Sequence, residues 1–190
     1  MASRLTPLTP DQLNSEQREA HERIARFRTP GPDGQFGGPF DPWVRSPELG
    51  RRMTSFGNFI WERTSLDRRI VELAICVTGR FWRSNVEWVA HAATAKRYGV
   101  SDQTLDDVMA LRPPTSAPAD EQLTVEVCRA IHETHELPRP LYDRAVAEFG
   151  ERGLVEMMAT IGYYTTVSMT LNAFEVPVAA GVTPPFERGA

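Results

Sequence analysis

Apolar residues recur along this chain at helical spacing, and the segments they mark out predict an all-α protein. From Pro47 to Thr64, Leu49, Met53, Phe56 and Ile60 fall on one stripe. Ser65-Leu66-Asp67-Arg68 can start a second helix that runs to about Thr78, where Gly79 is expected to interrupt it. Asn85 to Tyr98 reads as another helix, closed by Gly99. Ser101-Asp102 opens a short helix ending near Leu111, and Leu123, Val127 and Ile131 face inward from a helix over 120–135. Pro138 and Pro140 then break the chain; one helix follows over 140–150 and a long one over about 153–174. The long one carries Met157, Met158, Tyr163 and Tyr164 and is apolar nearly all round, so it is expected in the core or between subunits. No alternating hairpin pattern and no tandem repeat interrupts this series.

Before these elements, a helix is expected from Asp11 or Ser15 to about Phe27. Residues 29–43, TPGPDGQFGGPFDPW, are too rich in glycine and proline for regular structure. They nevertheless hold Phe36, Phe40 and Trp43, so the segment reads as an ordered loop whose aromatics pack onto the domain or line a pocket. The tail, 178–190, is expected to be loose. At 190 residues, 41% apolar and 24% charged, the chain reads as one soluble globular domain with a sizeable core. A net charge of −4 provides no general attraction to nucleic acid or anionic lipid. The chain has no run of about 18 to 20 apolar residues to span a bilayer, and its N-terminus lacks the apolar centre of a secretory signal. A cytoplasmic protein is therefore expected. Cys76 and Cys128 sit in apolar helical patterns and read as buried thiols rather than a disulfide.

The chemistry concentrates in residues 72–91, ELAICVTGRFWRSNVEWVAH. Ser84, Glu87 and His91 share one helical face, and Glu87 and His91 are i,i+4 neighbours. Glu72 lies one helix earlier, and a break at Gly79 would let the two helices fold together and bring Glu72 to His91. Burial favours the protonated form of a glutamate, and two carboxylates draw a histidine toward imidazolium, so such a group can act as acid and base near neutral pH. From these residues alone two plainer readings stay open. Glu87 and His91 can be a solvated ion pair, and Glu72 a partner of Arg68, Arg69 or Arg80.

Other signals are weaker. His132 and His135 are i,i+3 rather than i,i+4 and have no third ligand, so they read as a polar helix end and not as a metal site. Arg51, Arg52, Arg68 and Arg69 are interspersed with acids and read as solvated surface. Dinucleotide, phosphate-loop and nucleophile-elbow motifs are absent.

The 72–91 segment resembles the carboxymuconolactone decarboxylase family, which includes the alkylhydroperoxidase D branch. The resemblance rests on Glu72 in RRIVELAICVTGRFW, on Glu87-Trp88-x-x-His91, and on Ala95-x-x-Tyr98-Gly99-Val100. It extends to GPFDPWVRSPELG at 38–50 and GYYTTVSMTLNAFEVP at 162–177. It implies an alkylhydroperoxidase D-like helical bundle that assembles as a homo-oligomer, a trimer or hexamer, with sites near subunit contacts. In the peroxidase branch a C-x-x-C pair precedes the histidine; Ser84 and Glu87 occupy those positions here, and Cys76 has no partner nearby in sequence. Thiol-dependent peroxide reduction is therefore disfavoured. The decarboxylase branch implies acid–base removal of carboxylate from a small carboxylated lactone or enol-type substrate, with no metal or organic cofactor. On that basis His91 is the proton shuttle, Glu72 orients it or acts as a second acid, and Glu87 is a further acid–base group. Arg80 would hold a substrate carboxylate, Asn85 would donate to an enolate oxygen, and Trp88, Tyr163 and Asn172 would complete the pocket. Trp61 and the loop aromatics would cap a neighbouring chain's pocket. A non-catalytic ligand-binding or scaffold oligomer is the alternative.

Overall fold

A computed structural model describes residues 3–31 and 33–187, and among them every regular element is helical. In order these are α1 (Ser15–Ala25), α2 (Phe40–Val44), α3 (Pro47–Glu62), α4 (Arg68–Phe81), α5 (Asn85–Arg97), α6 (Asp102–Met109), α7 (Ala119–Thr134) and α8 (Arg139–Ala173). A short 3-10 turn, Pro10–Gln12, precedes them.

α4 is the axis of the bundle. Asp67 caps it, accepting from the Arg69 amide at 2.8 Å, and every residue from Ile70 to Gly79 is buried. The sequence IVELAICVTG has almost no polar face to offer solvent, so α5, α7 and α8 all pack around it. Each Leu73- or Ile75-sized side chain buried there contributes about 1.5–3 kcal/mol. A smaller cluster of Leu13, Ile24, Phe36 and Val44 fastens the N-terminal segment, whose α1 packs on α2 and α3.

Gly79 does not end α4. The helix continues to Phe81, and the chain reverses through Trp82, Arg83 and Ser84, with Arg83 in the left-handed region at φ +48°. The Ser84 amide closes this link onto the Gly79 carbonyl at 2.8 Å. Gly79 instead marks where α5 crosses: a Cβ on it would lie 3.2 Å from the Glu87 Cβ. Chain reversal needed a left-handed residue, and close approach needed a missing side chain; here two different residues supply them.

Over its residues 33–43 the glycine- and proline-rich segment is ordered and runs into a helical turn, α2, where irregular structure was expected. Asp41 accepts from the Phe36 and Gly37 amides at 2.9 and 2.7 Å, and Phe36 and Trp43 are buried. The two expected C-terminal helices meet at Gly150, whose φ of +71° and ψ of +164° break α8. The face of α8 carrying Val155 and Met169 is exposed on the single chain and so lies outside this chain's core. Arg68 and Arg69, expected on a solvated surface, are largely covered, with side chains 14% and 21% exposed. His132 is also buried, stacked on Phe81 and bonded to Thr78 Oγ1 at 3.1 Å. Burial lowers it to about 4, so it is not the polar helix end its neighbours suggested.

Within the tail, Phe186 is docked. Its backbone amide and carbonyl both pair with the Asn85 side chain, at 2.8 and 3.0 Å, and its ring is buried with its edge toward Trp88. Positions 188–190 lie outside the described residues. Among the described residues no helix is long and apolar enough to cross a membrane.

Glu156 joins the α3–α4 connection to α8. Its carboxylate accepts from the Ser65 amide and hydroxyl at 2.5 and 2.7 Å, from Thr64 at 2.9 Å and from Arg152 at 2.9 Å. Burial opposes its ionisation, but these bonds prevail and lower it to about 2. Glu156→Gln is expected to cost about 1–3 kcal/mol at pH 7. Because the folded value is depressed, the wild-type advantage is present above the ordinary glutamate pKa and is lost as pH falls through about 2. Urea unfolding of both proteins between pH 7 and pH 2 measures this convergence.

Candidate functional site

Where α4 and α5 cross, Glu72, Glu87 and His91 come together. Glu72 is fully buried, and its two oxygens have separate partners. One accepts from the Arg68 guanidinium a turn earlier on α4. The other meets His91 Nδ1 at 2.7 Å. The second ring nitrogen, Nε2, lies 3.4 Å from Glu87 Oε2. A carboxylate can only accept, so a neutral His91 keeps its proton on Nδ1 and turns the Nε2 lone pair toward Glu87. Glu87 Oε2 is buried without a hydrogen-bond partner. Glu72 is thus a partner of Arg68, as one open reading had it, and of His91 as well, while Glu87 and His91 form a covered rather than a solvated pair 3.4 Å apart.

The electrostatics follow from that burial. Burial pushes Glu87 up, His91 opposes this, and the Glu72 charge adds to it, leaving the carboxyl above its usual range. For His91 burial acts downward, but the Glu72 bond and the Glu87 and Glu72 charges outweigh it and leave the imidazole above 6.5 despite Arg68. Both groups therefore retain protons to higher pH than they would in water. The Tyr164 ring stands edge-on to His91, 5.0 Å between centroids, and Tyr163 stands edge-on to Tyr164 at 5.1 Å. Burial, followed by the nearby Glu87, keeps both phenols protonated well beyond neutrality.

The His91 side chain remains 15% exposed. Arg68 lies with its guanidinium carbon 3.4 Å from the centroid of Trp61 and 5.9 Å from that of Tyr98, and about half of each aromatic residue is open to solvent. Aromatic surface therefore flanks the one cation bonded to the cluster.

Several expected site residues lie elsewhere. Arg80 donates to the Met109 carbonyl at 2.6 Å and sits over Phe186. Asn85 holds the tail and lines a cavity of about 650 Å³ formed with Pro177, Val182 and Phe186. Trp88 packs on that tail rather than on the triad. Asn172 donates to the Trp82 carbonyl at 2.7 Å, bracing the α4–α5 link. Tyr163 stays near, one ring removed from His91. Arg68 and Tyr164 join the cluster: the sequence offered Arg68 only as one of three possible partners of Glu72, and Tyr164 only as part of an apolar helix.

Cys76 is one turn after Glu72 on α4 and fully buried. Burial, then the Glu72 and Glu87 charges, raises its thiol well above 9, so the reactive thiolate is suppressed. Ser84, also buried, has no bonded partner for its Oγ. Among the described residues no three His, Cys, Asp or Glu side chains are grouped to hold a metal ion.

Gly57 supports the site from α3. A Cβ there would lie 2.5 Å from the Tyr163 hydroxyl oxygen. Gly57→Ala is expected to displace that ring and to cost about 1–3 kcal/mol, read by chemical denaturation.

Residues 47–126 match the model described as the Carboxymuconolactone decarboxylase family. That range begins at the first residue of α3 and contains Glu72, Glu87 and His91, so the resemblance read from the sequence is borne out over this segment. No curated protein matches the chain. Three solved structures share the fold. An alkylhydroperoxidase AhpD core from Ralstonia eutropha JMP134, an uncharacterized peroxidase-related protein, is 14% identical with a TM-score of 0.74, covering 94% of this chain and 93% of its own. An uncharacterized peroxidase-related protein from Silicibacter sp. TM1040 is 14% identical with a TM-score of 0.70, covering 94% and 92%. A protein of unknown function from Agrobacterium tumefaciens is 16% identical with a TM-score of 0.66, covering 74% and 97%.

Proposed function

Taking the carboxymuconolactone decarboxylase match over residues 47–126 as premise, we propose that this protein is an acid–base lyase. Its substrate is a small carboxylated lactone or a related enol-forming acid. One observation carries the reading: His91 is pinned through Nδ1 to Glu72 while its Nε2 faces the buried Glu87.

The chemistry that this arrangement suits is decarboxylation. The substrate C–C bond breaks, CO2 leaves, and the bonding electrons pass into the conjugated lactone carbonyl as an enolate. The carbon is then protonated by the acid held between His91 Nε2 and Glu87, and water returns that proton to the pair. The substrate carries its own electron sink, so neither a metal nor an organic cofactor is needed for the balance. Run without loss of CO2, the same proton movements isomerise an enol-type substrate. Tyr164, edge-on to His91, restricts the ring to the plane in which both contacts persist.

A thiol route is the poorer fit. Ser84 and Glu87 stand where a redox pair would be needed, and Cys76 is sealed and held as thiol. The exposed Leu49, Phe56 and Trp61 of α3, with Val155 and Met169 of α8, support a homo-oligomer, for which the family resemblance implies a trimer or hexamer. Light scattering that finds a monomer would count against that part.

The test is to incubate the protein with carboxymuconolactone, other carboxylated lactones and β-keto acids in deuterated water. CO2 release with deuterium at the product carbon supports the reading. Tight binding without turnover would make the protein a ligand-binding oligomer, and peroxide reduction lost in Cys76→Ser would restore the thiol route.

A further inference from the structure

Resting on the lyase reading above, we propose that Arg68 is a positioning residue of this site. It anchors one oxygen of Glu72, so that the other fixes the His91 ring with Nε2 toward Glu87. Three observations support this role. Arg68 lies in the first turn of α4, one turn before Glu72, and its guanidinium is bonded to the Glu72 oxygen that His91 does not use. It also reaches the last turn of α3, where Nη1 approaches the Ile60 and Trp61 carbonyls at 3.5 and 3.3 Å, an end of a helix that favours a cation. Finally, Trp61 covers it at 3.4 Å, its side chain is 14% exposed, and its Nε is buried without a partner.

The charge balance of the cluster follows. The groups facing His91 are Arg68 and Glu72 of α4, Glu87 of α5 and Tyr164 of α8, while Cys76 of α4 and Tyr163 of α8 feel the Glu87 charge. The thiol and the two phenols are held neutral by burial. An arginine does not release its proton, so Arg68 offsets Glu72. His91 and Glu87 are then left to share one proton without excess negative charge. Deprived of Arg68, the imidazole would face two carboxylates with no competing cation, and it would be held as imidazolium. Arg68 thereby acts through Glu72 and touches no reacting atom.

The histidine rings of the wild type, Arg68→Met and Arg68→Lys are followed by nitrogen-15 NMR against pH, with His91 assigned from His91→Gln. In Arg68→Met the His91 titration is expected to move upward and the limb of the pH–rate profile on carboxymuconolactone to move with it. kcat falls about tenfold, a part of the roughly 10² to 10⁴ that a placed acid or base contributes, while KM stays within about twofold. Arg68→Lys restores most of both. A folded Arg68→Met whose His91 titration is unchanged or lowered would overturn the proposal and leave Arg68 as a brace between α3 and α4. Should Arg68→Met fail to fold, Arg68→Gln keeps donors for the Ile60 and Trp61 carbonyls and is read in the same way. The NMR arm needs no substrate, so a shifted titration without turnover by any of the proteins sinks the lyase reading and spares the role of Arg68.

Discussion

His91→Ala lowers turnover of an accepted carboxylated lactone by about 10²- to 10⁴-fold while the helical circular dichroism stays that of the wild type. The loss falls on kcat, because the imidazole does its work when the enolate carbon takes a proton and contributes little to holding the ground-state substrate. Side-chain removal leaves Glu87 with no proton partner at 3.4 Å and Glu72 with only Arg68. The fold is expected to be kept because the ring, 15% exposed, is not sealed in the core as Glu72 is. The pH profile adds a second measurement. Since His91 is raised from its ordinary value by the Glu72 bond and the two carboxylate charges, which outweigh burial, wild-type turnover is expected to decline with rising pH later than an ordinary histidine would dictate. Equal rates in wild type and His91→Ala would remove the chemical basis of the assignment.

The largest effect on stability is expected for Glu72→Ala, at about 3–5 kcal/mol. Glu72 has no exposed surface, and its loss strands the Arg68 guanidinium and the His91 Nδ1 proton together. A total stability of about 5–15 kcal/mol leaves little margin for that change. The cost arises from what is left unpaired, more than from the attraction that is lost. The double variant with Met at both 68 and 72 therefore recovers much of the stability, because two apolar chains of similar length replace both ends of the pair. Urea denaturation of the two single variants and the double gives the coupling. If the double were as damaged as the sum of the singles, the Arg68–Glu72 pair would not be the source of the loss.

Helical periodicity made the bundle legible, since α3 to α8 each carry an apolar stripe or a fully apolar run. The catalytic candidates were legible for the same reason: Glu87 and His91 four apart on one helix meet wherever that helix goes. The misplaced residues violate the same arithmetic. Asn85 precedes His91 by six positions and Glu87 by two, so it looks away from both at about 100° per residue. Arg80 stands eight residues after Glu72, about 12 Å along α4. Trp88 is one position past Glu87 and faces the tail. What periodicity did not supply was contact between elements distant in the chain. The docking of Phe186 onto Asn85, over a hundred residues apart in sequence, has no local signature. Gly79 was misread because a glycine that permits close packing and one that reverses the chain look alike in sequence; the reversal fell to Arg83, a residue that rarely adopts positive φ.

The link of Trp82, Arg83 and Ser84 sets the phase of everything after it. One extra residue there would turn α5 by about 100° and swing His91 from above Glu72 to the outside of the bundle, with each helix still intact. The side chains of the link are themselves held, Trp82 by Thr165 and Ser84 by burial, and its length behaves like the tooth count of a gear.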